Sequence, residues 1–65
     1  MMPPKVREIL RDLYADGWYI ASIRGSYRQL RHPKKPRRVT VYGKPSDAIA
    51  PGTLDSILKH SGLER

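Results

Sequence analysis

The sequence predicts an α+β domain in the order α-β-β-β-α, a three-stranded antiparallel sheet with two helices on one face. Three observations predict it. Val6, Ile9, Leu10 and Leu13 stand at the spacing of one helix face. After them come three runs carrying aromatic and β-branched residues, parted by Gly25-Ser26 and by Pro33-Lys34-Lys35-Pro36. A second helical spacing, Leu54, Ile57 and Leu58, lies between Pro51-Gly52 and Gly62. With 65 residues there is room for one domain, residues 1–65. A chain of that size buries only about 60% of its unfolded surface, so its core is small.

The first helix is expected over residues 5–15, because Pro3-Pro4 suits a helix start and Gly17 supplies a left-handed stop. Lys5, Arg7, Glu8, Arg11 and Asp12 fill its polar side. Residues 18–23 read as a strand, with Trp18 at its start placed in the core, and Gly25-Ser26 as the turn after it. Along 27–32 the period of two puts Tyr27, Gln29 and Arg31 on one face and Arg28, Leu30 and His32 on the other. Residues 33–36 form the next turn, since proline cannot donate to a ladder. The third strand, 37–42, points Val39 and Val41 inward and Arg38, Thr40 and Tyr42 outward. Gly43-Lys44-Pro45 ends the sheet. Thr53 is the expected N-cap of the second helix, with Asp55 near its positive end, Gly62 as its stop and Leu63 folding back on it.

Charge is the feature that speaks to function. The chain has 13 Lys plus Arg against 6 Asp plus Glu, a net charge of +7. Seven of the bases (Arg24, Arg28, Arg31, Lys34, Lys35, Arg37 and Arg38) lie between Ser22 and Tyr42 with no acid among them. Without those seven the chain holds 6 bases against 6 acids, so one segment carries the whole excess. Such concentration, in a strand-like stretch with tyrosines, reads as a surface for a polyanion backbone, nucleic acid above all. The plain alternative is a solvated turn region.

Other classes are excluded by composition. No cysteine is present, so there is no disulfide and no thiolate nucleophile or metal ligand. His32 and His60 are too few and too far apart to suggest a metal site, and no cofactor is expected. No apolar run approaches the ~18 residues of a membrane span. Charged, periodic sequence follows Met1-Met2-Pro3-Pro4 at once, so a cytoplasmic protein without a signal peptide is the expectation.

The order α-β-β-β-α is that of double-stranded-RNA-binding domains, and the residues carry a closer likeness. Asp16-Gly17-Trp18, Arg24-Gly25-Ser26, Arg31-His32-Pro33, Arg38-Val39-Thr40-Val41 and Gly43-Lys44-Pro45-Ser46 follow in order. Pro51-Gly52-Thr53-Leu54, Ser56-Ile57-Leu58-Lys59 and Gly62-Leu63 complete the set. With this ordered set the chain resembles the HicA-type (YcfA-like) mRNA interferase toxins of toxin–antitoxin pairs, over nearly its full length. The resemblance implies the dsRBD-like fold, metal-independent cleavage of mRNA and a HicB-type antitoxin that covers the active site. One departure matters: the family motif is Gly-Ser-His, and this chain has Gly25-Ser26-Tyr27. The aromatic usual in the family at the place of Leu30 is also missing, which is a packing change only.

The missing imidazole bears directly on chemistry. RNA cleavage without metal needs a base that takes the proton of a ribose 2′-OH so that the oxygen attacks the adjacent phosphate. Imidazole titrates near ~6.5 and serves at cellular pH. A phenol titrates near ~10, so only about one in a thousand is ionised at pH 7. The expectation is a crippled nuclease, whether Tyr27 is an inactivating substitution or a natural change, with an active tyrosine enzyme the third reading. Arg24 and Arg28, bracketing the turn of Gly25 and Ser26, are the candidates for holding the scissile phosphate, and Gly25 and Ser26 are counted with them in the expected RNA-binding set. Lys44 stands close in the family arrangement, and Lys34, Lys35, Arg37 and Arg38 are expected to project together beside their turn. His32 and His60 read as structural, and Ser26 as a turn residue without a triad. Two further functions stay open: an RNA-binding module without catalysis, using Tyr27 for stacking, and a module that binds only an antitoxin.

Overall fold

The computed structural model describes residues 3–63, which fold as α1 (Val6–Ala15), β1 (Tyr19–Arg24), β2 (Tyr27–His32), β3 (Lys35–Tyr42) and α2 (Pro51–Ser61). The strands form one antiparallel meander with β2 in the centre. Both helices lie on one side of it. Val6, Ile9, Leu10 and Leu13 of α1 and Ile57 of α2 meet Leu30, Val39 and Val41 of the sheet, with Trp18 and Ile49 closing the cluster. This is the α-β-β-β-α arrangement that the apolar spacings predict, and it matches the dsRBD-like order.

The start of α1 is capped by backbone from elsewhere in the chain. Lys5 has no oxygen with which to cap, so the loop after β3 does the work. Asp47 and Pro45 carbonyls accept from Val6 and Arg7 N–H at 2.9 and 3.1 Å, and Pro4 accepts from Ile49 at 2.9 Å. Glu8 adds the third partner, its Oε1 accepting from Lys5 N–H at 3.3 Å. At the other end the chain closes in a Schellman motif: Gly17 N–H donates to Tyr14 and Trp18 N–H to Leu13, both at 3.0 Å. Gly17 has φ +103°, and a Cβ there would stand 2.9 Å from His32 Nε2. Glycine is required for both reasons.

Beneath that turn lies the most connected set of polar contacts in the molecule. Lys35 Nζ donates to Asp16 Oδ2 at 2.6 Å and to the Ser61 carbonyl at 2.8 Å. Trp18 Nε1 donates to the same carboxylate at 3.2 Å, and the ammonium sits 5.8 Å from the centre of the indole. One side chain of β3 thus fastens the C-terminal ends of both helices. His32 packs edge-on against Trp18, ring centres 5.3 Å apart.

Five boundaries differ from expectation, two of them, the start of α1 at Val6 and the end of β1 at Arg24, by a single residue without consequence for the packing. Pro51, not Thr53, opens α2, with Ala50 as N-cap, because proline's fixed φ suits the first helical position. Asp55 therefore lies beyond the first turn and pairs with Lys59 at 3.3 Å. The second hairpin turns on Pro33 and Lys34 alone, so β3 begins at Lys35 and includes Pro36, tolerated on an edge strand. The first strand begins at Tyr19, since Trp18 belongs to the helix cap.

Two outcomes check this account. Gly17→Ala should cost about 1–3 kcal/mol for the forced backbone conformation alone, read as a lowered Tm in thermal melts. The second concerns acid. The Lys35 hydrogen bond, helped by the charge of the ammonium and by Trp18, holds the Asp16 carboxyl below its ordinary 3.8 against the opposing effect of burial. A depressed folded-state value means that the unfolded chain takes up the proton first, so the stabilisation is full above about 3.8 and fades as pH falls through the folded value. Asp16→Asn should lower Tm at neutral pH and flatten its decline below about pH 4.

Candidate nucleic-acid interface

The helices leave the other side of the sheet open, and what stands on it is set by strand register. Ile20 and Ile23 are three residues apart, which a regular strand would put on opposite faces. A bulge at Ala21, between the pairs Ile20↔Leu30 and Ser22↔Gln29, resolves the conflict. Ile23 then joins the helix side opposite Arg28, and Arg24 joins the open face opposite Tyr27. The open face accordingly reads in three cross-strand rows. Tyr19 faces Arg31; Ser22, Gln29 and Thr40 make the middle row; Arg24, Tyr27 and Tyr42 make the third.

Tyr27 is the centre of that third row. It is 54% exposed, and its ring lies 4.6 Å from that of Tyr42, inclined by 46°. Ser22, Arg24, Tyr27 and Gln29 line a cleft of about 320 Å³ on the open face. Gly25 and Ser26 close the hairpin below it; Gly25 takes φ +56° as the first central residue, the place glycine fills in a tight two-residue turn. The Ser26 carbonyl accepts from Gly43 N–H at 3.1 Å. Ser26 thus serves the turn, as expected.

The basic segment divides into two groups. Arg28 lies on the helix side between Ile23 and Val41, and its guanidinium donates to the Gly43 carbonyl at 2.6 Å. It shares no face with Tyr27, although the sequence marks it for the phosphate. Its placement follows from the alternation that buries Leu30 two residues on. Lys35 likewise turns inward to Asp16 and Ser61 and does not project with its neighbours. The remaining five, Arg24, Arg31, Lys34, Arg37 and Arg38, are exposed and join no ion pair among the described residues. Arg37 and Arg38 sit with Pro36 in an irregular stretch of β3 where three residues oppose Arg31 alone. Arg38 borders a groove shared with Thr53, Ser56 and His60 of α2. Lys44 is exposed past the end of β3, its N–H donating to Asp47 Oδ2 at 2.9 Å.

Neither histidine stands at Tyr27. His32 Nε2 lies 2.7 Å from the Asp16 carbonyl oxygen, and Nδ1 accepts from Lys34 N–H at 3.0 Å. An oxygen acceptor at one nitrogen and an amide donor at the other fix the neutral tautomer with hydrogen on Nε2. Its only basic lone pair is occupied, and its side chain is 9% exposed. His60 belongs to the α2 groove. Among the described residues no cluster of three metal-ligating side chains occurs, and no helix is long and apolar enough to cross a membrane.

Arg31 and Tyr42 are among the residues of this face to which the sequence reading gives no place in the site. The alternation Tyr27, Gln29, Arg31 already puts Arg31 on the same face as Tyr27. Tyr42 is legible as outward but only the register shows it against Tyr27.

No curated protein matches this chain. Residues 6–63 match the family described as the HicA toxin of bacterial toxin–antitoxin pairs, a span that runs from the first residue of α1 past the glycine cap of α2. The chain belongs to the HicA toxin family.

Proposed function

We propose that this toxin engages mRNA across its open sheet face and that Tyr27 leaves it a poor nuclease. The observation that carries the reading is the placement of Tyr27, exposed in a cleft beside Arg24, on the face that also carries Arg31. A strand lying over that cleft would bring a phosphate to Arg24 and the adjoining 2′-OH towards position 27. An imidazole there would accept the 2′-OH proton. The 2′-oxygen would then bond to phosphorus, and the bond to the 5′-oxygen would break as that oxygen takes up a proton. The phenol hydroxyl is a donor at neutral pH and performs the first of these steps poorly. His32 offers no replacement, because both its nitrogens are committed. A HicB-type antitoxin, the partner that the family resemblance implies, would gain speed of association from an acidic surface laid on the same cations.

A second reading, binding without cleavage, is favoured by the Tyr27–Tyr42 ring pair, which supplies contact area where a nuclease needs a base.

Two measurements test the proposal. In EDTA, Tyr27→His should cut a long single-stranded RNA where the chain as given cuts slowly or not at all. Equal cutting by both would show that position 27 is not the base. In binding, log K should fall with log salt by about 0.7 for each single-strand phosphate contact. Arg24→Gln should flatten that slope by about one such step. Arg28→Gln should leave the slope unchanged and lower Tm, because it unties Gly43. RNA binding that ignores salt would contradict the interface.

A further inference from the structure

We infer that Tyr27 and Tyr42 form a base-stacking subsite and that the row beside them contacts base edges, so that this face takes RNA as an unpaired, splayed strand. The inference rests on the proposed RNA binding and adds the mode of recognition. Cross-strand aromatic pairs support a sheet by themselves, and that accounts for the contact between the two rings. It does not account for how open they are. Tyr27 and Tyr42 are 54% and 60% exposed, and Tyr19, 50% exposed, stands on the same face at its other end.

The layout of that face is ordered by chemistry. The Arg24–Tyr27–Tyr42 row joins a cation to two π-faces. Next comes Ser22–Gln29–Thr40, two hydroxyls and an amide able to donate and accept. Then comes Tyr19 with Arg31, a third ring with a second cation. From Tyr27 to Arg31 is four residues of strand, about 13 Å. Ring, polar row, ring is the sequence of contacts by which sheet-based modules hold unpaired RNA, stacking bases on aromatics and bonding their exposed edges.

A duplex fits this surface badly. Its bases stay stacked on one another and present no face to a tyrosine. Nor does α1 offer a cationic ridge for duplex phosphates. Arg7 and Arg11 are interleaved with Glu8 and Asp12, and Arg11 Nε lies 3.7 Å from Asp12.

The test uses Tyr42, which has no part in the proposed chemistry, and an RNA carrying the fluorescent base 2-aminopurine. Titrated with the whole protein, the single strand should show a stacking-dependent change in emission, and the same RNA in a duplex should bind more weakly without it. Tyr42→Ala should weaken single-strand binding by a factor of about 5 to about 150, the range for one stacked base. Tyr42→Phe, which keeps the ring, should bind as the parent does, and thermal melts of both variants control for folding. The inference falls if Tyr42→Ala binds like the parent, or if duplex and single strand bind equally with no emission change. In those cases salt-dependent RNA binding would survive and the proposed function would stand. Failure of the parent to bind any RNA at about 50 mM salt would overturn both.

Discussion

One ammonium group holds this domain in register. Lys35 reaches from the start of β3 to the Asp16 carboxylate and the Ser61 carbonyl, at 2.6 and 2.8 Å, and so joins the C-terminal ends of both helices to the sheet. The contacts around it depend on that placement. Asp16 also receives Trp18, and its own carbonyl receives His32, whose other nitrogen takes the Lys34 amide in the turn before β3. A domain of this size has few apolar side chains to fix the angle between its layers. A half-buried ion pair with all its neighbours satisfied supplies orientation that a small core does not, and it is strongest where charge-assisted hydrogen bonds converge.

The same placement decides which cations are available. Lys35 and Arg28 belong to the fold, one tied to Asp16 and the other to Gly43. What remains outward, Arg24, Arg31 and the arginines and lysine around the second hairpin, lines one side of the sheet and its rim. The fold thus uses two cations of a single basic run and leaves the other five exposed. The helix side is packed except at Ile23, which stays exposed, while the open side carries three tyrosines that the core does not use. On that side Tyr27 stands exposed beside Arg24, and the proposed loss of nuclease activity rests on its phenol in place of an imidazole.

Much of this was legible in the sequence. The apolar spacings place both helices, and Gly25-Ser26 and Pro33 mark the turns, because those residue types answer local steric demands. Non-local demands are harder to read. Nothing beside Lys35 marks it as buried among bases; its partner Asp16 is 19 residues away. Arg28 was readable as inward from its spacing to Leu30, yet the charge run suggests otherwise. The Ala21 bulge has a faint signal in Ile20 and Ile23, two isoleucines that cannot share a face without it. Thr53 failed as a cap because Pro51 satisfies the helix start with its own backbone. On the open face, Tyr27 and Arg24 are the residues that the motif marks, and their neighbour Tyr42 waited on the register of β3 against β2.

The claim on which the functional account turns is that the open sheet face, and no other, meets RNA. Amide chemical shifts of the labelled protein, followed while a short single-stranded RNA is added, test it directly. The account predicts shifts at Tyr19, Ser22, Arg24, Tyr27, Gln29, Arg31, Thr40 and Tyr42, with the amides of α1 and the outer side of α2 undisturbed. Shifts gathered on α1, with the tyrosine rows silent, would contradict it.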